Sequence, residues 1–144
     1  MEEKNGFYTL KGYQLIEDAE FTPAMEDYLE MICRIRQRHD YVKIRDLSDS
    51  LNVRPSSASK MVQQLKELGY LHAERYGDIT LTEKGMAAGN YLLYRHNVIH
   101  NFLCLLNSSQ NELEETEKIE HFLNRKTIEN LDVLMQRLMA EKQT

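Results

Sequence analysis

Apolar residues recur every three or four positions along much of the chain, which is the spacing of one face of an α-helix. The first such run follows Thr22 and Pro23, a capping hydroxyl followed by a proline that suits the first helical position. The pattern predicts a helix over about residues 23–38. Its apolar face is formed by Met25, Leu29, Ile32 and Ile35.

Two shorter helical patterns follow, separated only by a tight turn around Asn52–Arg54. "VKIRDLSDSLNV" predicts a second helix, and "RPSSASKMVQQLKELGY" predicts a third that begins at Pro55 and ends at Gly69. Two short helices joined in this way indicate a helix-turn-helix. Alternating runs at about 70–75 and 79–82 then flank a tight turn, which indicates a β-hairpin and therefore a winged helix.

Three further helices are predicted in the second half, over Thr82 to about Leu106, about 110–123 and about 127–142. The helix that begins at Thr82 has apolar residues around much of its surface, which predicts burial on two sides, by its own domain and by a neighbour. The strong apolar stripe of the last helix indicates oligomer packing. The predicted fold class is mostly α with a small β-hairpin, an N-terminal winged helix-turn-helix followed by an all-α domain.

Charge is unevenly distributed along the chain, although the net value of −5 by itself argues weakly against nucleic acid as a partner. Residues 33–85 carry 10 basic and 7 acidic groups, whereas residues 1–32 carry 2 basic and 8 acidic groups. The cationic segment coincides with the winged helix and can face phosphates.

Short hydroxyl residues at the start of the third helix allow close approach to a DNA backbone, and glutamine can read base edges. Capping and solvation account for any one of these residues, but together with the charged segment and the hairpin they favour DNA binding. The candidate contacts are Arg45, Arg54, Ser56, Ser57, Ser59, Lys60 and Gln63, with Arg75 and Tyr76 at the hairpin tip.

The sequence shows no pattern of a signal peptide and no apolar run long enough to span a bilayer. Cys33 and Cys104 do not form a disulfide framework and lie in helical apolar patterns, which favours reduced core thiols. These features predict a cytoplasmic protein.

Candidate metal chemistry is concentrated in three helices. "ETEKIEHFL" places Glu117, Glu120 and His121 on one helix face, and a solvated acidic face explains the glutamates but not the histidine. "YRHNVIH" places His96 and His100 four residues apart, a spacing at which two imidazoles can bind one metal ion. A polar surface or a hydrogen-bonded core histidine explains that pair equally well.

The first helix adds Asp27 and Glu30 to these candidates. Carboxylates packed together without a cation would repel one another and be desolvated, and a divalent ion removes both costs. Oxygen and imidazole donors without a cysteine favour Mn²⁺ or Fe²⁺, while the general affinity order allows Co²⁺, Zn²⁺ or Cu²⁺ to bind more tightly.

Five segments together resemble the DtxR/MntR family of metal-dependent transcriptional repressors, and most closely its manganese-responsive branch. They lie in the same order over about residues 22–140 and read "TPAMEDYLEMI", "LNVRPSSASKMVQQLKELGYL", "YGDITLTEKG", "LLYRHNVIHNFL" and "EKIEHFLN". The resemblance implies a homodimer in the two-domain form that lacks an SH3-like domain. It implies an N-terminal extension of unknown role over 1–21, a DNA-binding domain over 22–85 and a dimerisation and metal-binding domain over 86–144.

The same resemblance implies which residues hold metal, as a pair of nearby ions in the manganese branch. The iron-responsive branch has methionine and cysteine where this chain has Asp27 and Glu117, which favours Mn²⁺ here. His100 falls where the family usually has a glutamate and is a further candidate. The implied ligands are Asp27, Glu30, His96, Glu117, Glu120 and His121.

The predicted function is therefore a metal-dependent transcriptional regulator, not an enzyme, that binds a double-stranded operator and represses metal-uptake genes when Mn²⁺ is bound. One alternative is a winged-helix regulator that responds to an organic ligand or to no ligand. A second is a metallohydrolase, which requires an open metal position, a general base and a substrate pocket.

Overall fold

A computed structural model describes residues 21–74 and 77–142. The helices are α1 (Pro23–Arg36), α2 (Ile44–Leu51), α3 (Pro55–Glu67), α4 (Glu83–Asn107), α5 (Leu113–Ile119) and α6 (Arg125–Lys142). The strands are β1 (Leu71–Ala73) and β2 (Ile79–Leu81), and a 3₁₀ turn at Glu120–Phe122 follows α5. This helical architecture with one hairpin confirms the predicted fold class.

The N-terminal half is organised around α1. Thr22 caps this helix, since its hydroxyl oxygen accepts a hydrogen bond from the Met25 amide at 3.2 Å, and Pro23 occupies the first turn. Leu29 and Ile32 are fully buried in the larger apolar core, which also contains residues of α2 and α3. The apolar side of the predicted first helix therefore forms the centre of the N-terminal half.

The hairpin pairs β1 with β2 in antiparallel register, with Leu71 opposite Leu81. Val42, in the connection between α1 and α2, adds an isolated bridge to Ile79 through two backbone hydrogen bonds of 2.8 and 3.0 Å. The hairpin is thus attached to the base of the helix-turn-helix, as in a winged helix.

The 25-residue helix α4 joins the two halves of the chain. Its first half packs on α1, where Gly89 lies against Cys33, and its second half packs on α5 and α6. The core of the second half is small and consists of Val98, Ile99, Leu103 and Ile128. Large apolar side chains remain exposed around it: Leu106, Leu113, Phe122, Val133, Leu134 and Met139.

The segment predicted as one helix over 110–123 is shorter and ends differently. Ser108 adopts a left-handed conformation that ends α4, and the Asn111 side-chain oxygen then accepts a hydrogen bond from the Leu113 amide at 3.0 Å. This local turn delays the start of α5 to Leu113. The helix tightens into the 3₁₀ turn at Glu120, before extended backbone at Leu123. None of the helices in the described ranges is long and apolar enough to cross a membrane.

Candidate metal centre

Four acidic and imidazole side chains converge between the two halves of the chain. The group consists of Glu30 on α1, His96 on α4, Glu117 on α5 and Glu120 in the 3₁₀ turn, with one ligand atom from each lying within 4.8 Å of the others. His96 Nδ1 is central, at 3.1 Å from Glu120, 3.3 Å from Glu117 and 3.8 Å from Glu30.

A second group overlaps the first and is formed by Asp27, Glu120 and His121. His121 Nε2 lies 3.0 Å from an Asp27 carboxylate oxygen. Glu120 belongs to both groups and is fully buried. The structure therefore brings all six predicted ligands into one continuous cluster with two overlapping places for a cation.

Local helix geometry explains why these side chains meet. Asp27 and Glu30 lie three residues apart on α1 and so share one side of that helix. Glu117 and Glu120 have the same spacing across the end of α5. The close crossing of α1 and α4 near Gly89 holds the two elements together about two helical turns before His96.

The charges in the cluster shift the pKa values of its members. Hydrogen bonds to Glu117 and Glu120 raise the pKa of His96 to about 9 against the opposing effect of burial. Burial, and then the neighbouring Glu120 charge, raise the pKa of Glu30, although Arg34 acts in the other direction. The hydrogen bond from His96 lowers the pKa of Glu117. Each of these three pKa shifts thus arises from close contact between His96 and the surrounding carboxylates or among the carboxylates themselves, together with burial.

Glu26 and Arg95 are two members of the site that the sequence analysis did not identify. Arg95 is buried, and its guanidinium donates two hydrogen bonds of 3.2 Å to the two carboxylate oxygens of Glu26. Glu26 also accepts a hydrogen bond of 2.8 Å from His121 Nδ1. The sequence held one signal, since Glu26 and Arg95 directly precede Asp27 and His96.

His121 therefore lies between two carboxylates. Burial lowers its pKa, but the hydrogen bonds to Asp27 and Glu26 outweigh this effect and raise the pKa of His121 to about 10. For Glu26 burial has the opposite effect and raises the pKa. Hydrogen bonds from His121 and Arg95 lower the pKa of Glu26 by more, so the net shift is downward. A histidine whose second nitrogen donates to a carboxylate is the usual arrangement for a metal-binding imidazole.

One buried oxygen shows that the cluster suits a cation. Glu120 Oε1 is buried and has no hydrogen-bond partner among the described residues. A buried carboxylate oxygen without a donor is costly, and a cation in contact with it removes that cost. The donors are carboxylates and imidazoles with no cysteine among them, which fits a hard or borderline divalent ion.

His100, the further candidate ligand, has a different contact. Its Nε2 accepts a hydrogen bond of 3.2 Å from the backbone amide of Glu112, just before α5. Its ring stacks on that of His96 with centroids 6.1 Å apart, and it is in neither group of converging ligands. The structure thus places His100 beside the cluster, where it anchors the start of α5.

The candidate DNA contacts lie on the outer side of the helix-turn-helix. Ala58, Val62 and Leu65 are the buried residues of α3, so the opposite side of this helix faces solvent. Arg75 and Tyr76 lie outside the described residues. The exposed candidates are Arg45, Arg54, Ser56, Ser57, Ser59, Lys60 and Gln63.

Comparison with known protein families gives two adjoining matches. Residues 20–79 match the N-terminal DNA binding domain of the iron dependent repressors. Residues 82–142 match the metal binding and dimerisation domain of the same family.

Among curated proteins, the chain is 40% identical over 116 residues to the HTH-type transcriptional regulator MntR of Geobacillus kaustophilus. It is 37% identical over 116 residues to the regulator of the same name from Bacillus subtilis. Each alignment covers 80% of this chain and 82% of the relative.

Among solved structures, T. acidophilum IdeR is similar with a TM-score of 0.70 and 26% identity, over 77% of this chain and 53% of that one. A manganese-dependent transcriptional repressor in complex with manganese is similar with a TM-score of 0.72 and 25% identity, over 78% and 52%. The chain spans about half the length of these two solved chains. The chain therefore belongs to the iron-dependent repressor family, whose members are metal-dependent, DNA-binding transcriptional regulators rather than enzymes.

Proposed function

We propose that this protein is a cytoplasmic, homodimeric repressor that binds a double-stranded operator when Mn²⁺ is bound, and that it controls metal-uptake genes. The observation that carries the proposal is the position of the six converging side chains. Asp27 and Glu30 belong to the DNA-binding half, whereas His96, Glu117, Glu120 and His121 belong to the other half.

The six residues would hold the metal between the two halves. Mn²⁺ supplies positive charge that offsets the mutual repulsion of the carboxylates. Without it, the repulsion of Asp27 and Glu30 by the acids of the opposite half is offset, among the described residues, only by the nearby histidines and Arg34, and α1 is held less firmly against α5. Because α1 packs directly on α2 and α3, its position sets the orientation of the DNA-reading helix. The relatives named for manganese regulation and the absence of cysteine from the cluster support Mn²⁺.

On the DNA side, the serines of α3 and the neighbouring arginines would contact phosphates, and Gln63 would read base edges. Arg75 and Tyr76 would act at the tip of the hairpin. In a homodimer the two α3 helices would enter successive major grooves about 34 Å apart. The apolar side chains left exposed around α5 and α6 support a subunit interface.

The proposal is tested by fluorescence anisotropy with a labelled metal-uptake promoter fragment titrated in Mn²⁺, Fe²⁺, Co²⁺ or Zn²⁺. We expect tight binding with Mn²⁺, loss of binding with a chelator, and no response to metal in Asp27→Ala and His121→Ala variants. Asp40→Ala serves as the control, because Asp40 is exposed and lies just beyond α1.

An operator affinity that is unchanged by the chelator and by both substitutions would contradict the proposal that metal controls DNA binding. That result would favour a winged-helix regulator with an organic ligand or with none. Metal-dependent binding that survives in Asp27→Ala and His121→Ala would instead contradict the proposed ligands while leaving a metal response in place.

A further inference from the structure

Arg34 stands out because it binds directly to one of the proposed ligands. Its Nε and Nη2 atoms both donate to the same Glu30 oxygen, Oε2, at 3.1 and 2.8 Å. Among the described residues, no other arginine or lysine forms a salt bridge with any of the six proposed ligands. The structure therefore gives the Glu30 position a directly bound arginine or lysine, which the Asp27 position lacks among the described residues.

The geometry puts this guanidinium in competition with a metal ion. Arg34 is permanently protonated and donates two hydrogen bonds to an oxygen that lies 3.8 Å from His96 Nδ1. A divalent ion among Glu30, His96, Glu117 and Glu120 would share the Glu30 carboxylate with this positive charge and be repelled by it.

The exposure of the two partners suits such a competition. The Glu30 side chain is 8% exposed, whereas that of Arg34 is 35% exposed. The Glu30 carboxylate is therefore too buried to replace Arg34 with water, whereas the Arg34 guanidinium can exchange its hydrogen bonds to Glu30 for hydrogen bonds to water. The interaction is an i, i+4 pair on α1, so a rotamer change of Arg34 suffices and the helix does not need to move.

We propose that Arg34 is a residue that weakens cation binding at the Glu30–His96–Glu117–Glu120 position and so sets the metal concentration to which the protein responds. This inference rests on the proposed function. It concerns the strength of one of the two overlapping cation positions, and it does not alter which residues hold the metal.

The test is Mn²⁺ binding without DNA, measured from the loss of the free-ion EPR signal, in the wild-type chain and in Arg34→Met and Arg34→Lys. We expect the Kd of Arg34→Met for Mn²⁺ to fall about tenfold, a moderate effect for one nearby charge. Arg34→Lys keeps the charge but loses the two-nitrogen contact, so its Kd for Mn²⁺ should lie between those of the wild-type chain and Arg34→Met. Arg38→Met is the matched control, since Arg38 is exposed beyond the end of α1, and its Kd should not change.

A double-mutant cycle localises the effect to the four-residue position. In a His96→Ala background, which removes the central ligand of that position, Arg34→Met should no longer tighten Mn²⁺ binding. Thermal unfolding of each metal-free variant establishes that all are folded at the temperature of the titration.

Unchanged or weaker Mn²⁺ binding in Arg34→Met overturns the inference, because Arg34 would then be neutral toward the metal or would orient Glu30 for it. Equal tightening in the His96→Ala background also overturns it, since the effect would be a general change in charge. A wild-type chain that binds no Mn²⁺ overturns the proposed function and this inference together. Normal wild-type binding with no gain in Arg34→Met overturns the inference alone.

Discussion

At the scale of single residues, the two ring nitrogens of His121 have different neighbours. Nε2 faces Asp27 at 3.0 Å, while Nδ1 donates to Glu26 at 2.8 Å. Glu26 is in turn held by two hydrogen bonds from the buried Arg95. This chain of contacts fixes the imidazole so that Nε2 points into the cluster, which makes Glu26 and Arg95 positioning residues for a ligand.

Replacing Glu26 with glutamine tests that role, because the amide retains the shape of the side chain but not its charge. We expect the affinity for Mn²⁺ to fall about ten- to hundredfold, which is typical when a partner of a metal-binding histidine is lost. EPR titration with Mn²⁺ measures the change. Glu115→Gln, an exposed substitution on α5, is the control. Unaltered Mn²⁺ affinity in Glu26→Gln would show that His121 does not need this carboxylate.

The raised histidine pKa values predict how the metal-free protein responds to pH. The pKa is about 9 for His96 and about 10 for His121 in the folded chain, against an ordinary value of 6.5. Below pH 6.5 both are protonated in the folded and unfolded chains, so their ion pairs contribute fully. As pH rises above 6.5 the unfolded chain binds fewer protons, and this stabilisation is lost progressively until pH passes 9 to 10.

We therefore expect the Tm of the chelator-treated protein to fall between pH 6.5 and 9.5, as followed by circular dichroism. His121→Gln cannot carry the positive charge and should show a smaller decrease over the same range. A Tm that is flat or rises across this interval would mean that the histidines are not held in their charged form by the surrounding carboxylates.

The six proposed ligands could be predicted from the sequence because each lies in a motif that resembles a family pattern. Glu26, Arg34 and Arg95 were not identified, because the one signal that the sequence holds, the position of Glu26 and Arg95 directly before Asp27 and His96, does not by itself distinguish them from ordinary charged residues. Their partners depend on rotamers along α1 and on the register of α1 against α4, and that register is set by packing. Neighbours of a site are therefore harder to predict than the site itself.

At the scale of elements, the crossing of α1 and α4 is the contact that brings the halves of the site together. Gly89 permits it, because a Cβ at this position would collide with Cys33 Sγ. Cys33 is buried and free, and burial raises its thiol pKa to about 11, which is consistent with the predicted reduced core thiol. Two small residues thus determine how closely the helices approach.

Gly89→Ala should therefore destabilise the protein, although alanine favours a helix by roughly 1 kcal/mol over glycine. We expect overpacking to dominate and the free energy of unfolding to fall by about 1–3 kcal/mol in urea denaturation. Cys33→Ala in the same chain removes the colliding sulfur and should restore most of the loss. Asn90→Ala, at the adjacent exposed position, provides the control. Equal effects of Gly89→Ala with and without Cys33→Ala would contradict the close contact.

Most helix bounds followed from the sequence, because caps are local. The start of α1 is marked by Thr22 and Pro23, and the start of α4 is marked by Thr82. Each threonine hydroxyl oxygen accepts a hydrogen bond from a backbone amide in the first turn of its helix. The start of α5 did not follow, since the Asn111 turn competes with helix formation there. The 3₁₀ turn at Glu120 also has no periodicity of its own, and it is this turn that places Glu120 in both groups of ligands.

At the scale of the whole molecule, the acids and cations of the cluster are nearly balanced even without metal. Five carboxylates (Glu26, Asp27, Glu30, Glu117 and Glu120) face Arg34, Arg95 and the two protonated histidines. Protons on His96 and His121 therefore compete with a divalent ion for the same space. The junction between the halves can thus hold together in the metal-free chain, and metal changes how firmly it does so.

If the metal joins the two halves, it should stabilise them as one unit. At a free Mn²⁺ concentration one hundred times the Kd, binding contributes about 2.7 kcal/mol, which corresponds to an increase in Tm of roughly 5–10 °C for a chain of this size. Hydrogen exchange followed by mass spectrometry should show slower exchange in α1 and α5 together on addition of Mn²⁺. Asp27→Ala should lose the effect in α1, whereas Asp40→Ala should keep it. Protection confined to α4 and α5 would mean that the metal is held by the second half alone, and the DNA-reading helices would then have no link to it.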